Sequence, residues 1–216
     1  MTLPDPPILV ITDRRQARRP LEEIAAAVFA AGGRWLSLRE KDLDPASRAA
    51  LLARLVALGR GCGAIVGVHE DAAAARTTGA GALHLPAGVL PPAARRALGA
   101  KALIGGSAHD QDEITALASA GADYATLSPI FPSASKPGYG PALGLDRLAR
   151  AAGTSALNII ALGGVDDGNA ASCIAAGAAG VAVMGSVMTA ADPGRVMAGL
   201  IKTLKAALAA RRGAAS

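Results

Sequence analysis

The sequence predicts an α/β fold, a parallel eight-stranded (β/α)8 barrel of the TIM type, as one domain over residues 1–216. Three observations predict it. Eight short apolar runs recur along the chain, each followed by an Ala/Leu-rich stretch with helical spacing. A small-residue corner containing glycine (Ala31-Gly32, Gly79-Ala80, Gly121-Ala122, Gly177-Ala178) returns before the strands. Eight strand-helix units in 216 residues match the barrel at its compact limit, whereas a doubly wound open sheet of this length usually has fewer strands.

The expected strands, in order, are 8–12 (ILVIT), 35–38 (WLSL), 64–68 (AIVGV), 81–85 (GALHL), 102–106 (ALIGG), 124–128 (YATLS), 158–162 (NIIAL) and 180–184 (GVAVM). The helix after the first strand starts at Pro20 and stops at Gly32-Gly33. The next starts at Asp44, a good N-cap, with Pro45 in the first helical position. The segments DQDEITALASAGA and DDGNAASCIAAGA share an acid-rich start and a glycine stop.

Composition excludes several function classes. The formal net charge of +5 comes from arginines scattered over several helices, without a zinc-finger, helix-turn-helix or RNA-binding pattern. Phe29, Trp35, Tyr124, Phe131 and Tyr139 are the only aromatic rings of their kind, too few for stacking nucleic-acid bases. Cys62 and Cys173 are isolated, as expected of thiols in a reducing compartment. No apolar run is long enough to span a membrane, and MTLPDPP lacks the features of a signal peptide. A cytoplasmic enzyme acting on small molecules is the expectation. The sequence leaves oligomeric state open, a homo-oligomer included.

Barrel active sites form at the C-terminal ends of the strands. Those ends carry Thr12-Asp13, then Ser37, Arg39 and Lys41 on one side by the two-residue period, then His69-Glu70, His84, and Ser107 with His109. His109 is the general acid/base candidate because imidazole titrates near neutrality, with Ser107 on the same side to orient substrate. The loop SPIFPSASKPGYGPALGL offers the hydroxyls of Ser133 and Ser135 and the cation of Lys136 on a Gly/Pro-hinged segment, which suits closure over an anion. Arg39 and Lys41 suit a second anion, unless Glu40 or Asp42 neutralises them. Gly163, Gly164, Met184 and Gly185 place small residues where barrels often bind phosphate.

Together LVITD, SLREKD, IGGSAHD, GADYATLSPIFPSASKPGYGPALGL, IIALGGV and AAGAAGVAVMGS resemble the thiamine-phosphate synthase family and its TenI-like sister, the thiazole tautomerases, from about residue 8 to residue 193. The resemblance implies a barrel enzyme of thiamine biosynthesis acting on a thiazole phosphate. Synthases of this kind join it to a hydroxymethylpyrimidine diphosphate and expel diphosphate, with Mg²⁺ and basic residues stabilising the leaving group. Arg39 and Lys41 match the LREK motif. Ser133, Ser135 and Lys136 match the FPTxTK loop, and Gly164, Met184 and Gly185 match the thiazole-phosphate site.

Three departures shift the expectation slightly toward the tautomerase, which needs no metal and moves a proton with a histidine that His109 matches. Ser37 replaces the usual Gln before LREK. His69-Glu70 replaces Asn-Asp. Val89 stands where the second magnesium-binding Asp belongs, leaving Glu70 as the one metal-ligand candidate of a synthase. In the tautomerase, Lys136 and Arg39 would bind the carboxylate or a second anion. Synthase activity is the alternative, and a non-catalytic barrel that binds thiamine precursors is a third reading. The roles of His69 and His84 stay open.

Overall fold

The computed structural model describes residues 2–132 and 141–214, so Ser133, Ser135 and Lys136 lie outside the described residues. Strands β1 (Ile8–Ile11), β2 (Trp35–Leu38), β3 (Ile65–His69), β4 (Ala82–Leu85), β5 (Leu103–Ala108), β6 (Tyr124–Leu127), β7 (Asn158–Leu162) and β8 (Gly180–Val183) pair in parallel and in chain order. β8 returns to β1 and closes the barrel. Between them run α1 (Leu21–Ala30), α2 (Pro45–Arg60), α3 (Ala72–Thr78), α4 (Pro92–Leu98), α5 (Gln111–Ser119), α6 (Gly144–Thr154) and α7 (Ala170–Ala175). A short α8 (Gly185–Met188) follows β8, and α9 (Pro193–Ala214) packs against α7 and α1.

The strand period of two divides each strand between two cores. Residues facing the helices, such as Leu36, Leu38, Val66, Val68, Ala125 and Leu127, join the outer layer. Residues of opposite phase, including Leu9, Ile11, Trp35, Leu103, Tyr124 and Ile160, fill the barrel. Trp35 and Tyr124 meet edge to face at 4.8 Å between ring centroids, a favoured aromatic geometry. Gly105 gives the Tyr124 ring its room, since a Cβ there would collide with the ring carbons. These side chains fill the lower part of the barrel, on the side away from the C-terminal strand ends.

Helix starts follow local chemistry. Asp44 accepts from the Ser47 amide, Asp71 from Ala74 and Asp110 from Glu113, and Pro45 opens α2. α7 departs from expectation. Asp166 and Asp167 lie ahead of it and its first turn holds no acid. The Asn169 side chain is occupied instead, accepting from the Asp166 amide and donating to the Gly164 carbonyl. No helix among the described residues is long and apolar enough to cross a membrane.

Candidate active site

A cavity of about 800 Å³ opens at the C-terminal ends of the strands. Its β2–β3 side carries Arg39, Lys41, His69 and Glu70. Ser107 and His109 come from β5, while Gly163, Gly164, Met184, Gly185 and Ser186 form the β7–β8 side. Most of the residues expected from sequence are thus brought together. Ser37 is not: it is 3% exposed, one pleat below Arg39, and does not line the cavity.

The basic side is held by a network of acids. Glu40, 2% exposed, accepts a 2.7 Å bond from the Thr12 hydroxyl, and the Arg14 amide donates to both its oxygens. Asp42 takes the Arg14 guanidinium, and Arg15 Nε at 3.1 Å. The two acids that stood to neutralise Arg39 and Lys41 are therefore committed to the loop after β1. Lys41 does have a partner, Glu70, the residue just after β3. Arg39 has no carboxylate partner among the described residues, and its amide donates to the Thr12 hydroxyl at 2.9 Å.

Below, His84 sits at the cavity floor with Nδ1 3.0 Å from the Tyr124 hydroxyl and Nε2 2.9 Å from Ser107 Oγ. Its ring lies 4.5 Å from that of His69. Burial, reinforced by the charges of Arg39 and Lys41, pushes the His84 pKa down to about 3, and burial pushes the Tyr124 phenol upward. His84 is therefore neutral, with one ring nitrogen donating and the other accepting. Ser107, expected to orient substrate, is itself oriented by His84. His109 stands at the mouth of the cavity, its Nδ1 3.0 Å from Glu113 Oε2 and its amide 2.7 Å from the same oxygen.

The glycines of the β7–β8 side have a packing cause in addition to any ligand. Gly163 and Gly164 have φ of 95° and 64°. The segment after β6 lies across them: Ile130 donates to the Leu162 carbonyl and Phe131 to that of Gly163. A Cβ on Gly163 would stand 2.8 Å from Pro129 Cα, and one on Gly164 would meet the Pro132 carbonyl. Ser186 at the start of α8 lines the cavity with a buried hydroxyl that has no hydrogen-bond partner among the described residues.

Glu113, Tyr124 and Gln16 belong to the site or its support without being among the residues expected from sequence, whereas Thr12 and Glu40, expected as a strand end and a neutralising acid, serve as its support. Glu113 carried a readable signal, lying four residues after His109 in the first turn of a helix. Tyr124 shares the inward phase of β6 with Thr126. Gln16, which lines the cavity and donates to Asp13 Oδ2 at 2.6 Å, gave no signal in a loop of irregular backbone.

The family profile described as thiamine monophosphate synthase matches residues 8–187. The chain belongs to this family. A putative thiamine-phosphate synthase of Geobacter sulfurreducens is 36% identical over 86% of this chain and 88% of its own. The thiamine-phosphate synthase of Chromobacterium violaceum is 40% identical over 78% and 82%. Among solved structures, a thiamine phosphate pyrophosphorylase from Pyrococcus furiosus superposes with a TM-score of 0.83 at 25% identity, covering 93% of this chain and 96% of the other. The chain is thus a thiamine-biosynthetic enzyme of the thiamine monophosphate synthase family.

The family resemblance implies Mg²⁺, and the donor set here fits it poorly. Glu70 is engaged by Lys41, and Val89 offers an aliphatic side chain, 45% exposed, in the loop after β4. No group of three His, Cys, Asp or Glu gathers among the described residues.

Proposed function

We propose that this chain is a thiamine-phosphate synthase, joining a hydroxymethylpyrimidine diphosphate to a thiazole phosphate with release of diphosphate. The observation that carries the reading is one cavity with two anion-suited sides. Arg39 and Lys41 form a basic side just after β2. On the far side of β1, Gly164, Gly185 and the unpartnered Ser186 hydroxyl offer small residues and a donor to a phosphate. The cavity's volume of about 800 Å³ is near the upper end for small-molecule sites and leaves room for two substrates. The names of the relatives point the same way, against the sequence-based lean toward proton transfer.

In this reading the Arg39 fork and the Lys41 ammonium hold the diphosphate. As the C–O bond breaks and the bond to the thiazole forms, the departing oxygens gain charge that both cations neutralise. Lys41 must exchange Glu70 for the diphosphate. Lys136, with Ser133 and Ser135, is proposed from sequence as a further anion contact. Neutral His84 holds the Ser107 hydroxyl against the reacting face, and the side chains filling the lower barrel keep water out from below.

A second reading is a thiazole tautomerase. His109, which lines the cavity and is held by Glu113, favours it, since an imidazole held by a carboxylate suits proton transfer. The deciding experiment gives purified protein both substrates, with and without Mg²⁺, and assays thiamine phosphate. Formation of product is expected. No product under either condition, together with accelerated aromatisation of a thiazole carboxylate phosphate, would reject the synthase.

A further inference from the structure

We infer that Glu40, acting through Thr12, is a positioning residue that sets the anion-binding geometry of Arg39. The inference rests on the reading of that side as the diphosphate site. Glu40 stands between the two cations in sequence and turns away from the cavity that both of them line. A carboxylate taken that far out of water is tolerable only when its oxygens are satisfied, and they are. One oxygen receives the Thr12 hydroxyl at 2.7 Å, and the Arg14 amide reaches both, at 3.2 and 3.1 Å. The Thr12 oxygen in turn accepts the Arg39 amide at 2.9 Å. The chain of bonds runs from the Arg14 amide to the carboxylate, then to the hydroxyl, then to the backbone that bears the guanidinium.

Two features give this network a directional consequence. β2 ends at Leu38, so no strand ladder holds Arg39 to Lys41. The loop after β1 replaces the ladder, gripping the segment at the Arg39 amide, the Glu40 carboxylate and, through Arg14 and Arg15, the Asp42 carboxylate. Where the chain leaves β2, turning Glu40 into that loop leaves Arg39 facing the other way, into the cavity, and the turn closed by the Leu43 amide on the Glu40 carbonyl then carries Lys41 and Asp42. Glu40 therefore acts on ligand through the direction of Arg39, touching no ligand itself.

The test measures inorganic pyrophosphate binding by calorimetry, with thermal melts alongside. Glu40→Gln and Thr12→Val are each expected to weaken binding about tenfold, and Thr12→Ser to retain it. Arg39→Ala is expected to weaken it too, and adding Glu40→Gln to Arg39→Ala should cost little further binding, because the positioned group is gone. The loss of thermal stability from Glu40→Gln should be the same in both backgrounds. Equal further weakening of binding in the Arg39→Ala background would mean a general structural role and would overturn the inference, as would wild-type binding by Thr12→Val. Should Glu40→Gln not fold, Thr12→Val with and without Arg39→Ala forms the same cycle. If Arg39→Ala binds pyrophosphate like wild type, the diphosphate-site reading fails and takes the inference with it. If the binding pattern holds but no thiamine phosphate forms, only the synthase reading fails.

Discussion

His84 shows how a single residue ties the barrel's packing to its chemistry. Its two ring nitrogens join Tyr124, on which the lower barrel is packed, to Ser107, which faces the cavity. Its pKa is pushed from 6.5 down to about 3, mainly by burial. The unfolded chain therefore takes up a proton near pH 6.5 that the folded chain refuses. The stability due to neutral His84 is complete above that pH and is lost as pH falls toward 3. Within that window one extra proton on the unfolded side contributes a slope of about 1.4 kcal/mol per pH unit. Urea unfolding at several pH values across the window should show the slope for the native protein reduced by about that amount in His84→Gln. An unchanged slope would show that His84 takes up its proton in the folded state. The sequence disclosed the position of this histidine but not its partners, because Tyr124 and Ser107 meet it from two other strands.

At the scale of elements, residues 129–132 after β6 rest on the connection after β7, and the two glycines at 163 and 164 are what let them touch. Gly164→Ala must bear both a left-handed φ of 64° and a collision with the Pro132 carbonyl. Gly121→Ala bears a similar φ of 80° with nothing within 4 Å of its Cβ. Gly121→Ala is expected to cost about 1–2 kcal/mol and leave KM alone. Gly164→Ala should cost more and raise KM several-fold, because Phe131 and Pro132, which line the cavity, must move. Equal melting temperatures and equal KM values in the two variants would contradict this. Sequence alone read these glycines as ligand contacts, since the partner segment lies more than thirty residues away. The strands were readable to within one or two residues because their alternation and apolar runs are local: 35–38 and 158–162 coincide with β2 and β7. The start of α7 was not readable, because Asn169 is recruited by the Gly164 carbonyl and the Asp166 amide. The outcome for Arg39 and Lys41 was equally hidden. Adjacent acids look like partners in a sequence, and only the fold shows Glu40 and Asp42 turning to Arg14 and Arg15.

For the whole molecule, barrel closure determines where charge can act. Apolar side chains fill the lower barrel, so ionisable groups that can reach a ligand collect at one end. Across the loops after β1 and β2, Arg14, Arg15, Arg18, Arg19, Arg39 and Lys41 outnumber Asp13, Glu40, Asp42 and Asp44, while Asp166 lines the cavity from the loop after β7. Arg14 and Arg15 are paired with Asp42, yet they remain solvent-exposed, at 43% and 72%. A net positive rim at the loops after β1 and β2, on a chain of formal charge +5, should raise the local concentration of polyanionic substrates, and salt should weaken the effect. Raising NaCl from about 50 to about 300 mM is therefore expected to lower kcat/KM several-fold, carried by KM, with kcat little changed. Arg18→Glu should flatten that dependence, because Arg18 is exposed at the rim and its side chain takes no part in the network that positions Arg39. If kcat fell with salt while KM held, the charge would be acting on the chemical step within the cavity, and steering at the mouth would be excluded as its role.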